Sequence, residues 1–205
     1  MQEKKWLDWL IRLQSLAQAG LAYGKDKYDI ERFEEIRDLS VQMLTALSDL
    51  PAQKVENLFA SETGYQTPKI DTRAAIFKEN KILLVQEANG TWALPGGWCD
   101  VDQSVKENTI KEVKEEAGLN VVLDKVIAVQ DRDKHNQPPY AYKICKIFSL
   151  CHATGGAFTK NIETIASDYF ERDQLPTLAQ AKTNEDQIQM CFAAYENDDW
   201  KTVID

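Results

Sequence analysis

The sequence predicts an α+β protein, in which a small all-α domain over residues 1–66 precedes a domain of strands and helices over residues 67–205. Two observations lead to this division. In the first third of the chain, apolar residues recur at three- and four-residue steps, which is typical of amphipathic helices. After the polar segment SETGYQTPK (61–69), short runs of apolar and β-branched residues alternate with turn sequences, which is typical of strands.

The N-terminal domain is expected to contain three helices. The first ends near Gly24, Asp29 is expected to cap the second, and Pro51 suits the first turn of the third. Their apolar stripes are Trp6, Trp9, Leu10, Leu13, Leu16 and Ala17; then Phe33, Ile36, Ser40, Met43, Leu44 and Leu47; then Val55, Leu58 and Phe59. About sixty residues bury little core of their own, so we expect this helical extension to lie against another surface, either the second domain or a partner subunit.

The second domain begins with a predicted hairpin, TRAAIF (72–77) and ILLVQE (82–87) joined by KENK. Later strands are predicted over VVLDKVIAVQD (121–131), YAYKICKIFSLCHA (140–153), which the glycines 155–156 should end, and the start of DYFERDQLP (168–176). The polar segment DRDKHNQPP (131–139) suggests a mobile loop. A last helix is expected over Asn184–Tyr195, with Ile188, Cys191 and Phe192 on one face.

Charge and composition exclude several classes of protein. The net charge is −9 with a pI near 4.9, and an acidic surface repels phosphate backbones, so we do not expect non-specific nucleic-acid binding. A small anionic substrate remains compatible if a divalent cation mediates the contact. Charged residues interrupt the apolar run of MQEKKWLDWLIRLQSL, which is therefore neither a signal peptide nor a membrane span.

The cysteines Cys99, Cys145, Cys151 and Cys191 form no C-x-x-C pair. Their neighbours are mostly apolar, so reduced thiols are expected rather than a disulfide framework. Together with the absence of a signal peptide or membrane span from the sequence pattern, this favours a cytoplasmic location.

The most informative segment is GGWCDVDQSVKENTIKEVKEEAG (96–118). Ser104 and Glu107 have the S-x-x-E spacing of a capping box, which predicts that a helix begins there, and Gly118 is placed to end it. Thr109, Val113 and Ala117 would form the stripe that packs on the sheet.

Three carboxylates, Glu112, Glu115 and Glu116, fall within an arc of roughly 100° near the end of this helix. Like charges three and four residues apart repel each other, and the helix dipole disfavours negative charge in the last turn. A bound Mg²⁺ or Mn²⁺ would reverse this cost, because hard cations prefer oxygen ligands. A solvated charged face is the alternative interpretation, and the flanking glycines and capping box favour the metal site.

The segment resembles the Nudix box, G-x5-E-x7-R-E-U-x-E-E-x-G-U, where U is a bulky apolar residue. Gly97 takes the first glycine position, Glu112 and Val113 follow Lys111, and Glu115 and Glu116 form the E-E pair before Gly118 and Leu119. This chain departs at two positions, with Gln103 for the first glutamate and Lys111 for the arginine. TWALPGG (91–97) resembles the family's approach to the box.

This resemblance implies a Nudix-type α/β/α sandwich with a mixed sheet and a metal-dependent hydrolase. It implies metal ligands at Glu112 and Glu116, with Glu115 as a third ligand or the base and the Gly96 carbonyl as a further ligand. Lys111 would orient a helix carboxylate in place of the arginine. Glu163 is the candidate for a distal catalytic base, with a solvated loop residue as the alternative.

The helical N-terminus resembles that of a bacterial Nudix subgroup that includes CDP-choline and ADP-ribose pyrophosphatases. The resemblance implies a homodimer joined through the helical domain, and hydrolysis of CDP-choline to CMP and phosphocholine. ADP-ribose is the main alternative and an RNA 5′ end a weaker one; a non-catalytic nucleotide sensor is the alternative from another class. Candidate substrate-binding residues are Arg73, Trp98, His135, Tyr140 and Tyr142.

Overall fold

The computed structural model describes residues 2–48, 51–140 and 142–205, without the side chains of residues 2–4 and Leu58. The described chain divides into two compact units. One unit contains the residues up to Pro68 together with 139–143, and the other contains 69–138 and 144–205. We call them the helical unit and the sheet unit.

The helical unit consists of α1 (Gln2–Tyr23), α2 (Lys27–Ala46) and α3 (Ala52–Phe59). Leu10, Val55 and Phe59 form its buried core. The stripe predicted for α1 divides in two, because Leu10 and Ala17 are buried whereas four other members are 40–55% exposed. These exposed members are Trp6, Trp9, Leu13 and Leu16. Leu58, assigned to the stripe of α3, lies outside the described side chains.

The cap predicted for α2 was wrong by one helical turn. Asp26 caps this helix, because its side chain accepts hydrogen bonds from the backbone amides of Tyr28 and Asp29. Either aspartate has the right chemistry for an N-cap, and the helix begins at the earlier one. Asp29 falls in the first turn instead, where it pairs with Arg32 at 2.6 Å.

The sheet unit is built on a mixed sheet. Its strands are β1 (Lys69–Lys78), β2 (Lys81–Glu87), β3 (Trp92–Ala93), β4 (Leu119–Asp131), β5 (Ile144–Gly156), β6 (Thr164–Phe170) and β7 (Val203–Ile204). The order is β3-β2-β1-β5-β4-β7, and β6 also pairs with β2. β1 runs parallel to β5 and β4 parallel to β7, while the remaining pairs are antiparallel. The predicted hairpin of β1 and β2 is confirmed.

Helices cover both faces of this sheet. The described helices are α4 (Val105–Ala117), the short α5 (Arg132–His135) and α6 (Glu185–Tyr195). Successive side chains of a strand point to opposite faces, and β1 follows this rule: Ala74 and Ile76 pack with α4, whereas Ala75 packs with α6. The result is the predicted α/β/α sandwich. Ile188, Cys191 and Phe192 are the buried face of α6, as expected.

Two segments differ from the prediction. β5 begins at Ile144 rather than at residue 140, because residues 139–143 group with the helical unit. At its other end, β5 does not stop at the glycines, since Gly155 pairs with Asn120 and Gly156 with Leu119 of β4.

Residues 131–139, expected to be a mobile loop, begin instead with α5. Arg132 and Asp133 are buried there and pair with each other at 3.1 Å. Arg132 also donates to the carbonyl of Pro138 at 2.7 Å, which is a contact within the segment. Lys134 and His135 instead lie beside the Asp205 carboxylate, which is outside it.

Within the described residues, no helix combines the length and the apolar character needed to cross a lipid bilayer. Cys99, Cys145, Cys151 and Cys191 are all free thiols.

Candidate active site

Helix α4 fixes the position of the three glutamates. Ser104 accepts a hydrogen bond from the Glu107 amide at 3.2 Å, and the Glu107 carboxylate accepts one from the Ser104 amide at 2.9 Å. This is the predicted capping box. Thr109, Val113 and Ala117 are buried, as predicted, and the helix ends before Gly118.

The loop that precedes α4 is bound along β1. The amide of Thr72 donates to Gly97, the amide of Ala74 donates to Pro95, and the amide of Cys99 donates to Ile70, each at 2.9 Å. The glycines at 96 and 97 allow this close approach. Gly96 has φ +141°, and a Cβ there would lie 1.9 Å from the carbonyl oxygen of Thr72. At residue 97, a Cβ would lie 2.7 Å from the Glu112 carboxylate.

Two of the glutamates face this loop in a partly buried setting. The Glu116 carboxylate accepts a hydrogen bond from the Gly96 amide at 2.7 Å. Burial raises the pKa of Glu116 to about 7, and the charge of Glu112 adds to the rise, although the Gly96 amide and Arg73 oppose it. Burial likewise raises the pKa of Glu112, against the opposing effect of Lys111. The side chain of Glu115 is 57% exposed.

These residues fit a divalent cation by chemistry. Glu112 and Glu116 supply carboxylate oxygens, the ligands that Mg²⁺ and Mn²⁺ prefer, and they are adjacent like charges that burial makes costly. The ligand set is not assembled in advance, since no group of three His, Cys, Asp or Glu side chains in the described residues is arranged to hold a metal. The Gly96 amide donates to Glu116, which brings residue 96 next to the carboxylates, and the role of the Gly96 carbonyl as a metal ligand stays a prediction.

Lys111 contacts three carboxylates. Its ammonium lies 2.7 Å from Asp100, 3.3 Å from Glu112 and 3.7 Å from Glu115. The contact with Asp100 is the shortest and raises the pKa of Lys111 most. A lysine therefore reaches the helix carboxylates at the position where the Nudix box has arginine, as predicted, but Asp100 was not part of the prediction.

Glu163 lies beside the last turn of α4. The Asn161 side chain donates to the Glu115 carbonyl at 2.8 Å, and the Thr164 hydroxyl donates to the Glu116 carbonyl at 2.7 Å. Glu163, which is exposed, stands between these two anchors, and its amide donates to Asn161 at 2.9 Å. Its place in the fold suits a distal base, and the assignment stays a prediction.

Arg73 and Trp98 differ in how they could meet a substrate. Arg73 is buried, makes two hydrogen bonds to Asp71 at 2.8 and 3.0 Å, and donates to the Leu94 carbonyl at 3.1 Å. These contacts favour a role in holding the loop over residues 94–97 (LPGG) rather than in binding substrate directly. Trp98 is 45% exposed next to Gly97, which leaves ring surface for stacking.

The remaining predicted substrate residues lie in other settings. The His135 ring nitrogen is 3.3 Å from the Asp205 carboxylate, outside hydrogen-bonding geometry. Tyr140 and Tyr142 belong to the helical unit, with ring centroids 5.5 Å apart. Their roles in substrate binding stay predictions.

Sequence reasoning missed a buried polar network on the α6 face of the sheet. Lys146 donates to Asn136 at 3.2 Å and to the carbonyl of Lys182. Gln187 donates to Asn136 at 2.9 Å and to Gln130 at 3.0 Å. Burial, and then the nearby charge of Arg73, lowers the pKa of Lys146 to about 7. Lys146 lies in a strand-like apolar run, and nothing in that run predicts that its side chain is buried in a polar network.

Comparison with known protein families agrees with this fold. Residues 67–191 match the model of the NUDIX domain, and residues 4–59 match a domain described as UDP-X-like, N-terminal oligomerisation domain. The chain therefore belongs to the Nudix hydrolase family. It is a Nudix pyrophosphohydrolase, a class in which divalent metal ions are generally used.

Two of the similar proteins cover 99% of this chain and a third covers 68%. A Bacillus subtilis (strain 168) protein named "Putative ADP-ribose pyrophosphatase YjhB" is 41% identical over 99% of this chain and 98% of its own length. The crystal structure of an ADP-ribose pyrophosphatase from Streptococcus suis 89-1591 is 52% identical, covers 68% of this chain and 100% of its own, and has a TM-score of 0.65. The crystal structure of a UDP-X diphosphatase is 31% identical over 99% of this chain and 100% of its own, with a TM-score of 0.64.

Proposed function

We propose that this enzyme hydrolyses the pyrophosphate of a nucleoside diphosphate linked to a sugar, with ADP-ribose as the leading substrate. The observation that carries the proposal is the 41% identity, over 99% of the chain, to a relative named for ADP-ribose hydrolysis. The name of the UDP-X diphosphatase extends the class to other nucleoside diphosphate conjugates. CDP-choline, the substrate expected from sequence, has no counterpart in these names and becomes a secondary candidate.

In the proposed reaction, water attacks one phosphorus of the diphosphate and the bond from that phosphorus to the bridging oxygen breaks. ADP-ribose would yield AMP and ribose 5-phosphate. Glu112, Glu116 and Glu115 are the proposed ligands of Mg²⁺ or Mn²⁺, which supplies positive charge to the phosphate oxygens and a more acidic water. Glu163 or Glu115 would accept the proton that the attacking water loses.

The loop at residues 95–99 would position the diphosphate. Its glycines leave room beside Glu112, since a side chain at residue 97 would contact that carboxylate. Arg73 holds the start of the loop through its hydrogen bond to the Leu94 carbonyl. Trp98 has an exposed ring near the end of the loop. The base or sugar of the substrate could stack on this ring.

A substrate panel tests the proposal. Purified protein is incubated with ADP-ribose, UDP-sugars, CDP-choline, NADH or NAD-capped RNA, with Mg²⁺, Mn²⁺ or a chelator, and products are separated by chromatography. We expect metal-dependent release of AMP and ribose 5-phosphate from ADP-ribose, lost with the chelator. Preferred cleavage of CDP-choline would restore the sequence-based prediction. Tight binding without cleavage of any compound would favour the nucleotide sensor and contradict the proposed activity.

We further propose that the helical unit joins two copies of the chain as a homodimer. The matched family is described as an oligomerisation domain, and α1 exposes Trp6, Trp9, Leu13 and Leu16 along one face. Such an apolar stripe is typical of a surface that a partner covers. Light scattering should give twice the chain mass of 23.3 kDa. A single-chain mass at micromolar concentration would contradict the dimer.

A further inference from the structure

We propose that Asp100 is a positioning residue that competes with Glu112 for the Lys111 ammonium, so that the Glu112 carboxylate stays available to a divalent cation. The inference rests on the metal site of the proposed function. It also assigns a role to a loop carboxylate in a chain that has Gln103 at the first glutamate position of the Nudix box.

Lys111 contacts more than one carboxylate, and the distances differ. Its ammonium lies 2.7 Å from the Asp100 carboxylate but 3.3 Å from that of Glu112. An ammonium ion and a divalent cation compete for the same oxygens, because each neutralises the carboxylate. Asp100 offers Lys111 a closer partner than Glu112 does, which leaves more of the Glu112 carboxylate available to the metal.

Asp100 is held in place independently of Lys111. Its amide donates to the side-chain oxygen of Asn108 at 3.1 Å, and its carbonyl accepts from the Gln103 amide at 3.1 Å. Asn108 is fully buried in α4 and donates to the Thr72 hydroxyl at 2.9 Å. The buried side-chain amide of Asn108 thus links the backbone of Asp100 to both α4 and β1. These contacts fix the backbone position from which the Asp100 carboxylate extends.

Gln103 does not provide this contact. Its backbone amide and carbonyl bond within the loop, and its side chain makes no hydrogen bond with the part of the chain that the structure describes. Among the carboxylates that Lys111 contacts, that of Asp100 is the nearest, and Asp100 lies three residues before the box position that Gln103 occupies.

Mn²⁺ binding tests this inference without any substrate. The dissociation constant is measured by electron paramagnetic resonance for wild type, Asp100→Asn, Lys111→Met and the double variant. Asp100→Asn should weaken Mn²⁺ binding about tenfold, the size expected when a residue that orients a metal ligand is lost. The double variant should match Lys111→Met within about twofold, because Asp100 acts only through that lysine.

Two control variants keep the test specific. Asp102→Asn removes the same charge from an exposed neighbour in the loop, and Gln103→Ala removes the residue at the box position. Both should bind Mn²⁺ within about twofold of wild type. The melting temperature of metal-free Asp100→Asn should stay near that of wild type, since the Asp100 side chain is 53% exposed.

The outcomes separate this inference from the proposed function. Equal losses in Asp100→Asn and Gln103→Ala, or additive losses in the double variant, would overturn the role of Asp100. If wild type bound Mn²⁺ with the expected differences among variants but cleaved no substrate, the proposed function alone would fail. If wild type bound no Mn²⁺, this inference would fall together with the metal site.

Discussion

Glu116, which is half-buried, and Lys146, which is buried, are ionisable residues of the same sheet unit, and they are accommodated in different ways. Burial moves the pKa of both to about 7, upward for the glutamate and downward for the lysine. Lys146 is surrounded by neutral oxygen acceptors, the Asn136 side chain and the Lys182 carbonyl. Glu116 accepts one amide hydrogen bond and lies beside another carboxylate, Glu112.

We expect Lys146 to serve the fold and Glu116 to serve the proposed metal site. The lysine has hydrogen-bond acceptors inside the protein, so its network needs no further component. Arg73 and Lys111 oppose the repulsion between Glu116 and Glu112 only in part, and a cation would add the remaining positive charge. A charge that the protein neutralises only in part is typical of a functional site.

The largest effect expected is on activity. Glu116→Gln removes a proposed metal ligand while keeping its shape. It should lower kcat/KM at least about a hundredfold, since loss of groups that only orient a metal ligand costs 10–100-fold. Steady-state kinetics on the best substrate, with circular dichroism as the check on folding, measure it. Glu185→Gln, an exposed acid of α6, is the matched control. Wild-type activity in Glu116→Gln would remove Glu116 from the metal site.

The next effect is on stability and its dependence on pH. The folded-state pKa of Glu116 is raised from 4.5 to about 7, so its contribution to stability is complete below pH 4.5 and is lost as the pH rises through 7. In a chelator, Glu116→Gln should therefore gain stability relative to wild type between pH 5 and 8. Mn²⁺ at a hundred times its dissociation constant should add about 2.7 kcal/mol to wild type at pH 8.

Urea unfolding with and without Mn²⁺ measures both parts of this prediction. A Glu116→Gln variant that follows the pH profile of wild type would show that Glu116 is not the group that titrates. Equal stabilisation of both proteins by Mn²⁺ would place the cation elsewhere.

The smallest effect expected concerns Lys146, for which the dependence of stability on pH has the opposite sign. Its folded-state pKa is lowered from 10.5 to about 7, so the unfolded chain binds more protons between these values and stability rises with pH. Lys146→Met should lose this rise, and its deficit relative to wild type should grow by at least about 1 kcal/mol between pH 7 and 9.5, because one pKa unit corresponds to about 1.36 kcal/mol.

Denaturant curves at the two pH values provide the measurement, and Lys125→Met is the matched control. Lys125 also donates to a backbone carbonyl, that of Asn197, but at the surface. A deficit that does not change with pH in Lys146→Met would mean that the lysine is charged at both values. Mn²⁺ affinity should be unaffected, in contrast to Glu116→Gln.

The sequence predicted the elements whose signals are local. The capping box at Ser104, the stop at Gly118 and the buried stripe of α4 depend on residues within one helix, so spacing alone defines them. The clustering of Glu112, Glu115 and Glu116 follows from the same helical geometry. Where two nearby residues had equal local chemistry, as with Asp26 and Asp29, the sequence did not decide between them.

The sequence by itself therefore determined the fold class, the family and the helix that carries the glutamates, because each is defined by short-range periodicity and a continuous motif. Only the tertiary structure decided which acid holds Lys111, that Arg73 supports a loop, and that Lys146 is buried. Arg73 and Leu94 are 21 residues apart, and Lys146 and Lys182 are 36 apart. Such pairs meet only when strands and loops pack, and burial then sets the charge that each residue can carry.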